Sequence, residues 1–149
     1  MICYRDIQFS EVSIINELWE KNREYHENIS EYFGYLYADL VFEERINPFS
    51  SFDKEHIKIT VAEDSDNKIL LGYSISTFEG NEGCIHSLHV SENVRGLGIG
   101  KKLMNNHISW LQKNGCKNIS ITVAVENVNT IEFYKNLGFK GNTIEMRLK

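Results

Sequence analysis

Around the middle of the chain Ile57, Ile59 and Val61 interleave with Lys58, Thr60 and Ala62, the two-residue period of a strand with one face in a core. Asp64-Ser65-Asp66-Asn67 reads as a turn, so Ile69 to Phe78 is expected to pair back as the second arm of a hairpin. Glu79 to Gly83 turns again before a third strand from Cys84 to Val90. The period then changes. Ile99, Leu103, His107, Ile108 and Leu111 share one face of a helix predicted from Ile99 to Lys113, with Gly115 placed to end it. Ile119, Ile121, Val123 and Val125 alternate as a strand, Asn129 to Leu137 reads as a helix closed by Gly138, and a last strand is expected from Thr143 to Leu148. Strand, helix, strand, helix, strand requires crossover connections, hence an α/β fold on a mixed sheet.

Ahead of this region a short strand is predicted at Ile2 to Arg5. A helix follows, carrying Val12, Ile15 and Trp19 behind Ser10 as N-cap. A second helix is read from Ser30 to Glu44 through the aromatic run Tyr32-Phe33-Gly34-Tyr35-Leu36-Tyr37, and a loop from Asn47 to Asp53. Pro48 is the only proline, and no repeat or Gly/Ser-rich linker interrupts the chain, so residues 1–149 are read as one domain.

Composition narrows the function. A hydrophobic content of 42% in 149 residues can build a core, while a net charge of −5 argues against a nucleic-acid partner. An acidic surface favours a cationic partner such as an amine. No apolar run approaches the ~20 residues that span a bilayer, and the N-terminus lacks a basic segment followed by an apolar one, so no membrane role is expected. Cys3, Cys84 and Cys116 form neither an even disulfide set nor a CxxC, which fits free thiols in a cytoplasmic, reducing setting.

Between the third strand and the long helix lies Val90-Ser91-Glu92-Asn93-Val94-Arg95-Gly96-Leu97-Gly98-Ile99-Gly100-Lys101-Lys102. Alternating glycines let backbone N–H groups converge, and the helix adds its unpaired first-turn donors and positive dipole end. Such a nest suits a diphosphate. Arg95, Lys101 and Lys102 crowd the helix end that prefers acids, as though an anion offsets them. A P-loop would need four residues between glycine and Gly-Lys, and only three separate Gly96 from Gly100. A dinucleotide fingerprint would need glycine at Leu103 or Lys101.

Arg95-Gly96-Leu97-Gly98-Ile99-Gly100 resembles the Gln/Arg-x-x-Gly-x-Gly/Ala coenzyme motif of the GNAT acetyltransferases. Asn127 to Phe139 is similar to that family's Asn-x-x-Ala-x-x-x-Tyr-x-x-x-Gly-Phe segment, with Thr130 where alanine is usual. Read without the resemblance, Asn129 with Glu132 is a capping pair and Ile131 with Tyr134 are core contacts. The resemblance implies a mostly antiparallel mixed sheet splayed at an acetyl-CoA site. The backbone of Arg95, Gly96, Leu97, Gly98, Ile99, Gly100 and Lys101 would hold the pyrophosphate. Leu88, His89 and Val90 would pair with the pantetheine arm, and Asn127 would support it. Tyr134 would give its proton to the departing thiolate.

Acetyl transfer to an amine also needs a proton acceptor. The resembled family often carries a glutamate near the start of the pantetheine strand, and this chain has Glu82-Gly83-Cys84-Ile85-His86-Ser87-Leu88 there. His86, sharing strand parity with Cys84 and Leu88, is the leading base; Glu82 through water, or no dedicated base, are the alternatives. Parity sets Cys84 and His89 on opposite faces, which disfavours a thiol nucleophile, and no cluster completes a metal site. The acceptor is expected to be a small-molecule or peptide amine. Either it is met by Trp19, Tyr25, His26, Tyr32, Phe33, Tyr35 and Tyr37 with Glu24, Glu27 and Glu31, or those aromatics are core. A non-catalytic acyl-CoA sensor is the rival class. The resemblance is compatible with a homodimer, which nothing in the sequence establishes.

Overall fold

A computed structural model describes residues Met1–Lys149. The alternating segments assemble a five-stranded sheet in the order β1 (Ile2–Ile7), β2 (Ile57–Asp64), β3 (Ile69–Glu79), β4 (Glu82–Val90) and β5 (Asn118–Ile121). Neighbours from β1 to β4 are antiparallel, and β5 runs parallel to β4, as a strand reached through a helical crossover does. The sheet is therefore mixed and mostly antiparallel, as the resemblance implies.

Helices cover both faces. On one side α1 (Asn16–Ile29) and the 3-10 segment before it bury Ile15, Leu18 and Trp19 against Ile59, Val61, Tyr73 and Ile75. On the other, α4 (Ile99–Lys113) buries Ile99, Leu103, His107 and Leu111 as the periodicity predicts, adds Met104, and leaves Ile108 half-buried. α5 (Val128–Asn136) packs Tyr134 beside Ile85, Met104 and Leu111 on this second side. No helix is long and apolar enough to cross a membrane.

Several local readings change. The first turn forms at Phe9–Ile15 as a 3-10 segment capped by Gln8, whose N–H meets Glu11 Oε1 at 3.2 Å, so Ser10 is not the cap. The helix expected over Ser30 to Glu44 breaks into α2 (Tyr35–Ala38) and α3 (Phe42–Ile46). The break falls at Asp39 to Val41, where Val41 is extended (φ −111°, ψ 133°), while Gly34 starts α2 against the end of α1, where a Cβ would lie 2.6 Å from the Glu27 carbonyl oxygen. Part of the expected loop after it, Asn47–Ser51, is a 3-10 turn started by Pro48. α5 is preceded by Asn127, and no side chain caps it, so Asn129 and Glu132 lie within the helix and form no capping pair. β5 ends at Ile121, short of Val125. The strand expected at Thr143 to Leu148 does not form: its alternation is present, but no ladder partner is, and Ile144, Met146 and Leu148 stand 73%, 88% and 103% exposed.

His107, placed by periodicity on the core stripe, is wholly buried in a polar chain linking β1, β2, β3 and α4. Asp6 accepts from Thr60 Oγ1 (2.6 Å) and Lys58 Nζ (2.7 Å). Because a carboxylate only accepts, Thr60 must accept in turn from His107 Nε2–H (2.8 Å). His107 Nδ1 then accepts the Ser76 hydroxyl (2.7 Å). Burial above all, with Lys58 adding repulsion and Asp6 opposing it, lowers the His107 pKa to about 3. An unfolded histidine titrates near ~6.5. The unfolded chain therefore takes up a proton that the folded one refuses, and stability is lost as pH falls below that value. Urea unfolding is expected to show this decline between pH 7 and pH 5. His107→Gln should flatten the decline while lowering stability at pH 7 by about 2 kcal/mol through poorly satisfied Thr60 and Ser76. An unchanged pH slope in the variant would refute the assignment.

Candidate active site

The site begins with a defect in the sheet. β3 and β4 are in register from Glu79–Glu82 up to Ser76–Ile85, then resume at Ile75–Ser87, so His86 is an extra residue bulged out of the ladder. Opposed residues share a face, which places Cys84 (opposite Thr77), Ser87 (opposite Ile75) and His89 (opposite Tyr73) all toward α1. Leu88 faces the α4 side, among the apolar groups packed there. The bulge corrects two readings made from simple alternation: His86 keeps company with Cys84 but not with Leu88, and Cys84 and His89 lie on one face after all.

The same strand loses its other neighbour here. β5 pairs with β4 only from Glu82–Asn118 to Ile85–Ile121, and beyond that point the edge of β4 is open. Ser91 N–H reaches back to the Leu71 carbonyl at 2.8 Å, so alternation turns the backbone groups of Val90 and Leu88 toward the open edge. Two parallel strands that part midway leave a slot lined by main-chain donors and acceptors.

At the top of the slot the chain makes a 3-10 turn, Glu92–Val94, and enters α4. Gly96 and Gly98 hold φ of +85° and +83°, a left-handed conformation unfavourable to any side chain with a Cβ. Gly98 is the N-cap, and the first helical bond runs from Lys102 N–H to its carbonyl (3.0 Å). The N–H groups of Ile99, Gly100 and Lys101 precede that bond and project from the helix end. No acidic residue occupies the first turn, so a fifteen-residue helix presents its positive end unneutralised. Nothing lies within 4 Å of where a Cβ of Gly96 or Gly98 would stand, which leaves an open cradle of donors. Gly100 is different: it is helical, and a Cβ there would meet Phe133 Cζ at 3.5 Å and Val90 Cγ2 at 3.7 Å. Its role is to let α5 approach. Leu97 is 65% exposed at the tip of the turn, and Arg95 is tied back, its Nε donating to the Val90 carbonyl (3.0 Å) with the guanidinium 5.6 Å over the Tyr25 ring.

α1 closes the slot from one side. The Tyr25 hydroxyl donates to Asn127 Oδ1 (3.2 Å), and Asn127 is buried ahead of α5. Tyr134 is 5% exposed between the edges of Phe133 and Phe139, and burial holds its phenol far above the ordinary tyrosine range, fully protonated. His86 is held by Thr77 Oγ1 at Nε2 (2.6 Å), with Cys84 Sγ 3.6 Å from Nδ1 and the Phe49 ring 4.7 Å away. Desolvation of the ring, then Arg45, lowers its pKa, so the imidazole is neutral at neutral pH. His89 is buried and pushed down to about 4, by burial first and then by Arg95, His26 and Lys21. It lines a cavity of about 930 Å³ with Tyr25, Ser91 and Arg95 between α1 and the ends of β3 and β4. Burial also raises the Cys84 thiol, which suits an inert group, and no three metal-ligating side chains converge anywhere in the chain.

The structure thus sets Leu88, Val90, Arg95, the glycine turn, Lys101 and Asn127 around one slot, buries Tyr134 beside Ile85 at the last paired position of β4 and β5, and sets His86 and His89 on the α1 side of the strand bounding it. Sequence reasoning missed Arg45, Phe49 and Thr77 around His86. The first two lie on a segment without catalytic spacing, and Thr77 is presented by cross-strand register.

A freed strand edge that opens onto a glycine-rich helix N-terminus is a site suited to a ligand with an anionic group. The acetyltransferase (GNAT) family model matches residues 15–139, and the chain belongs to that family. An uncharacterised N-acetyltransferase of Methanocaldococcus jannaschii is 43% identical over 67 residues, 44% of this chain; the match spans only 30% of that relative's length. Glucosamine 6-phosphate N-acetyltransferase of Arabidopsis thaliana is 25% identical over 115 residues, 73% of this chain and 75% of the plant enzyme. Among solved structures, a tetramutant of a Bacillus halodurans protein superposes with a TM-score of 0.81 at 19% identity, covering 99% of both chains, which supports the fold.

Proposed function

We propose that this chain is a single-domain N-acetyltransferase that passes the acetyl group of acetyl-CoA directly to a primary amine. The observation that carries the reading is the slot: a strand edge freed by a parting sheet, leading into a helix N-terminus with two left-handed glycines. Main-chain donors from Gly96 to Lys101 hold the pyrophosphate, the Arg95 N–H being turned to the Glu92 carbonyl (3.4 Å), and Leu88 and Val90, with His89 between them, offer backbone to the pantetheine arm. Asn127, fixed by Tyr25, orders the opposite lip. Acetyl-CoA supplies an activated thioester.

The chain's own groups manage the protons and the charge. An alkylammonium with a pKa near ~10 must lose a proton before its nitrogen can attack. His86, neutral and next to solvent, takes that proton at Nδ1, with Nε2 fixed by Thr77. His89 is the poorer base, because a pKa of about 4 leaves it too weakly basic. An N–H on the open edge of β4, at Leu88 or Val90, stabilises the oxyanion as the C–N bond forms. The C–S bond then breaks, the thiolate takes the phenolic proton of Tyr134, and the phenolate regains a proton from the nitrogen, which sheds its second one as the neutral amide forms. The protein works in the cytoplasm as a soluble catalyst.

Thiol release from acetyl-CoA across a panel of amines tests this. Acceptor-dependent release is expected for at least one class of amine. Tight acetyl-CoA binding with no release from any acceptor would identify a sensor instead.

A further inference from the structure

Residues 143–149 alternate as Thr, Ile, Glu, Met, Arg, Leu and Lys, the pattern of a strand with one apolar face. Glu145 and Arg147 share a side, since Arg147 Nε donates to Glu145 Oε1 at 2.7 Å across one intervening residue. In extended chain Ile144, Met146 and Leu148 then point the other way, and all three are exposed. No main-chain group from Lys140 onward takes a backbone partner. The end of the segment is anchored: Lys149 Nζ donates to the Tyr32 carbonyl (2.9 Å) and lies 5.9 Å over the Tyr35 ring.

A bare strand edge of this kind is a template for another strand. The outer edge of β5 is free, because β4 takes the inner one. Yet Asn118, Ile119, Ser120 and Ile121 offer no charge to Glu145 or Arg147. A second copy of the segment does. Laid antiparallel about a two-fold axis at Met146, it sets Glu145 opposite the partner's Arg147 and Arg147 opposite the partner's Glu145. On the other face Ile144 meets the partner's Leu148, and Met146 meets the partner's Met146. Sliding this register by two residues opposes arginine to arginine or glutamate to glutamate. Sliding it by one puts the charges among the apolar groups.

We propose that two copies of this chain associate by pairing residues 143–149 antiparallel, as an isologous dimer. A two-stranded ribbon is marginal by itself, and one of seven residues a side buries less than the roughly 1,200 Å² of a stable interface. The surface around it supplies the rest. Val125 and Val128 stand exposed beside Glu126, whose Oε2 accepts the Glu31 N–H at 3.2 Å, and Tyr32 and Tyr35 stand exposed beside Lys149. These contacts draw the turn before α5, the connection after α1 and the C-terminal segment onto one apolar surface, the kind that marks an interface. The apolar face of the ribbon packs there. The association asks nothing of the chemistry in the slot.

Sedimentation equilibrium of the purified chain tests this, with Glu145→Arg and Arg147→Glu measured singly and mixed. Both side chains are exposed, so the fold of each protomer is not at stake. The parent is expected to be dimeric at about 100 μM. Glu145→Arg makes both cross-strand pairs cationic and Arg147→Glu makes both anionic, so each variant alone should dimerise at least about tenfold more weakly. An equimolar mixture of the two should recover the parent's affinity, because the arginines of one then face the glutamates of the other. Met146→Glu, which sets two carboxylates on the axis, should abolish the dimer. A parent that stays monomeric at about 100 μM would overturn the pairing in favour of a segment covered by its own β5 or by another protein. Dimers that persist in both single variants, or a mixture no tighter than its components, would overturn it as well.

Discussion

Gly98→Val is expected to weaken acetyl-CoA binding by about a hundredfold, the largest effect of any single substitution in the cradle. The position holds φ +83° at the N-cap of α4. A β-branched residue there costs about 1–3 kcal/mol in backbone strain if the turn keeps its shape. If the turn relaxes instead, the N–H groups of Ile99, Gly100 and Lys101 no longer converge, and each charge-assisted hydrogen bond lost removes about 1.5–3 kcal/mol. Both routes lead to the same loss, which calorimetry with free CoA reads directly. Gly100→Ala is the contrasting case. Its backbone is helical and its new methyl would make ordinary contacts with Phe133 and Val90, so binding within about threefold of the parent is expected. Equal losses at both positions would mean that crowding, not the left-handed turn, decides affinity.

Tyr134→Phe is expected to lower kcat by about a hundredfold with little change in KM for acetyl-CoA. The ring stays between Phe133 and Phe139, and only the hydroxyl is removed. Because burial raises its pKa far beyond the working range, the phenol never ionises during a pH titration of the enzyme. Activity should therefore show no alkaline limb attributable to it. The acidic limb should instead follow the proton acceptor, falling at a pH below that of an ordinary histidine. Unchanged kcat in the Tyr134→Phe variant would remove this phenol as the proton donor.

Much of this architecture could be read from the chain because it depends on local period. The alternation at Ile57 to Val61 and the helical stripe from Ile99 to Leu111 each fold as their spacing predicts, and the glycine turn lies between strand and helix as its chemistry requires. What escaped the sequence depends on contacts made at a distance. The helical pattern from Ser30 to Glu44 is interrupted at Asp39 to Val41, where the backbone turns extended so that Phe42 and Ile46 can reach the core. Thr143 to Leu148 has strand alternation, but a strand is a pairing and none is available there. The bulge at His86 has no glycine or proline to announce it, yet it decides which side chains share the α1 face. His107 was legible as a core position, whereas its partners Thr60 and Ser76 come from two strands far away in sequence. Of the glutamates that suggested a cationic acceptor, Glu27 lies one turn from Arg23 and pairs with it at 2.9 Å, Glu24 adjoins it at 3.8 Å, and Glu31 enters no ion pair.

The donor cradle at the start of α4 is the claim on which the rest depends. Isothermal calorimetry of the purified chain with acetyl-CoA tests it most directly, repeated with a dephosphorylated pantetheine derivative that lacks the pyrophosphate. Stoichiometric binding of the coenzyme, at least a hundredfold tighter than the derivative, is the predicted result. Equal affinity for both ligands, or no heat with either, would contradict it.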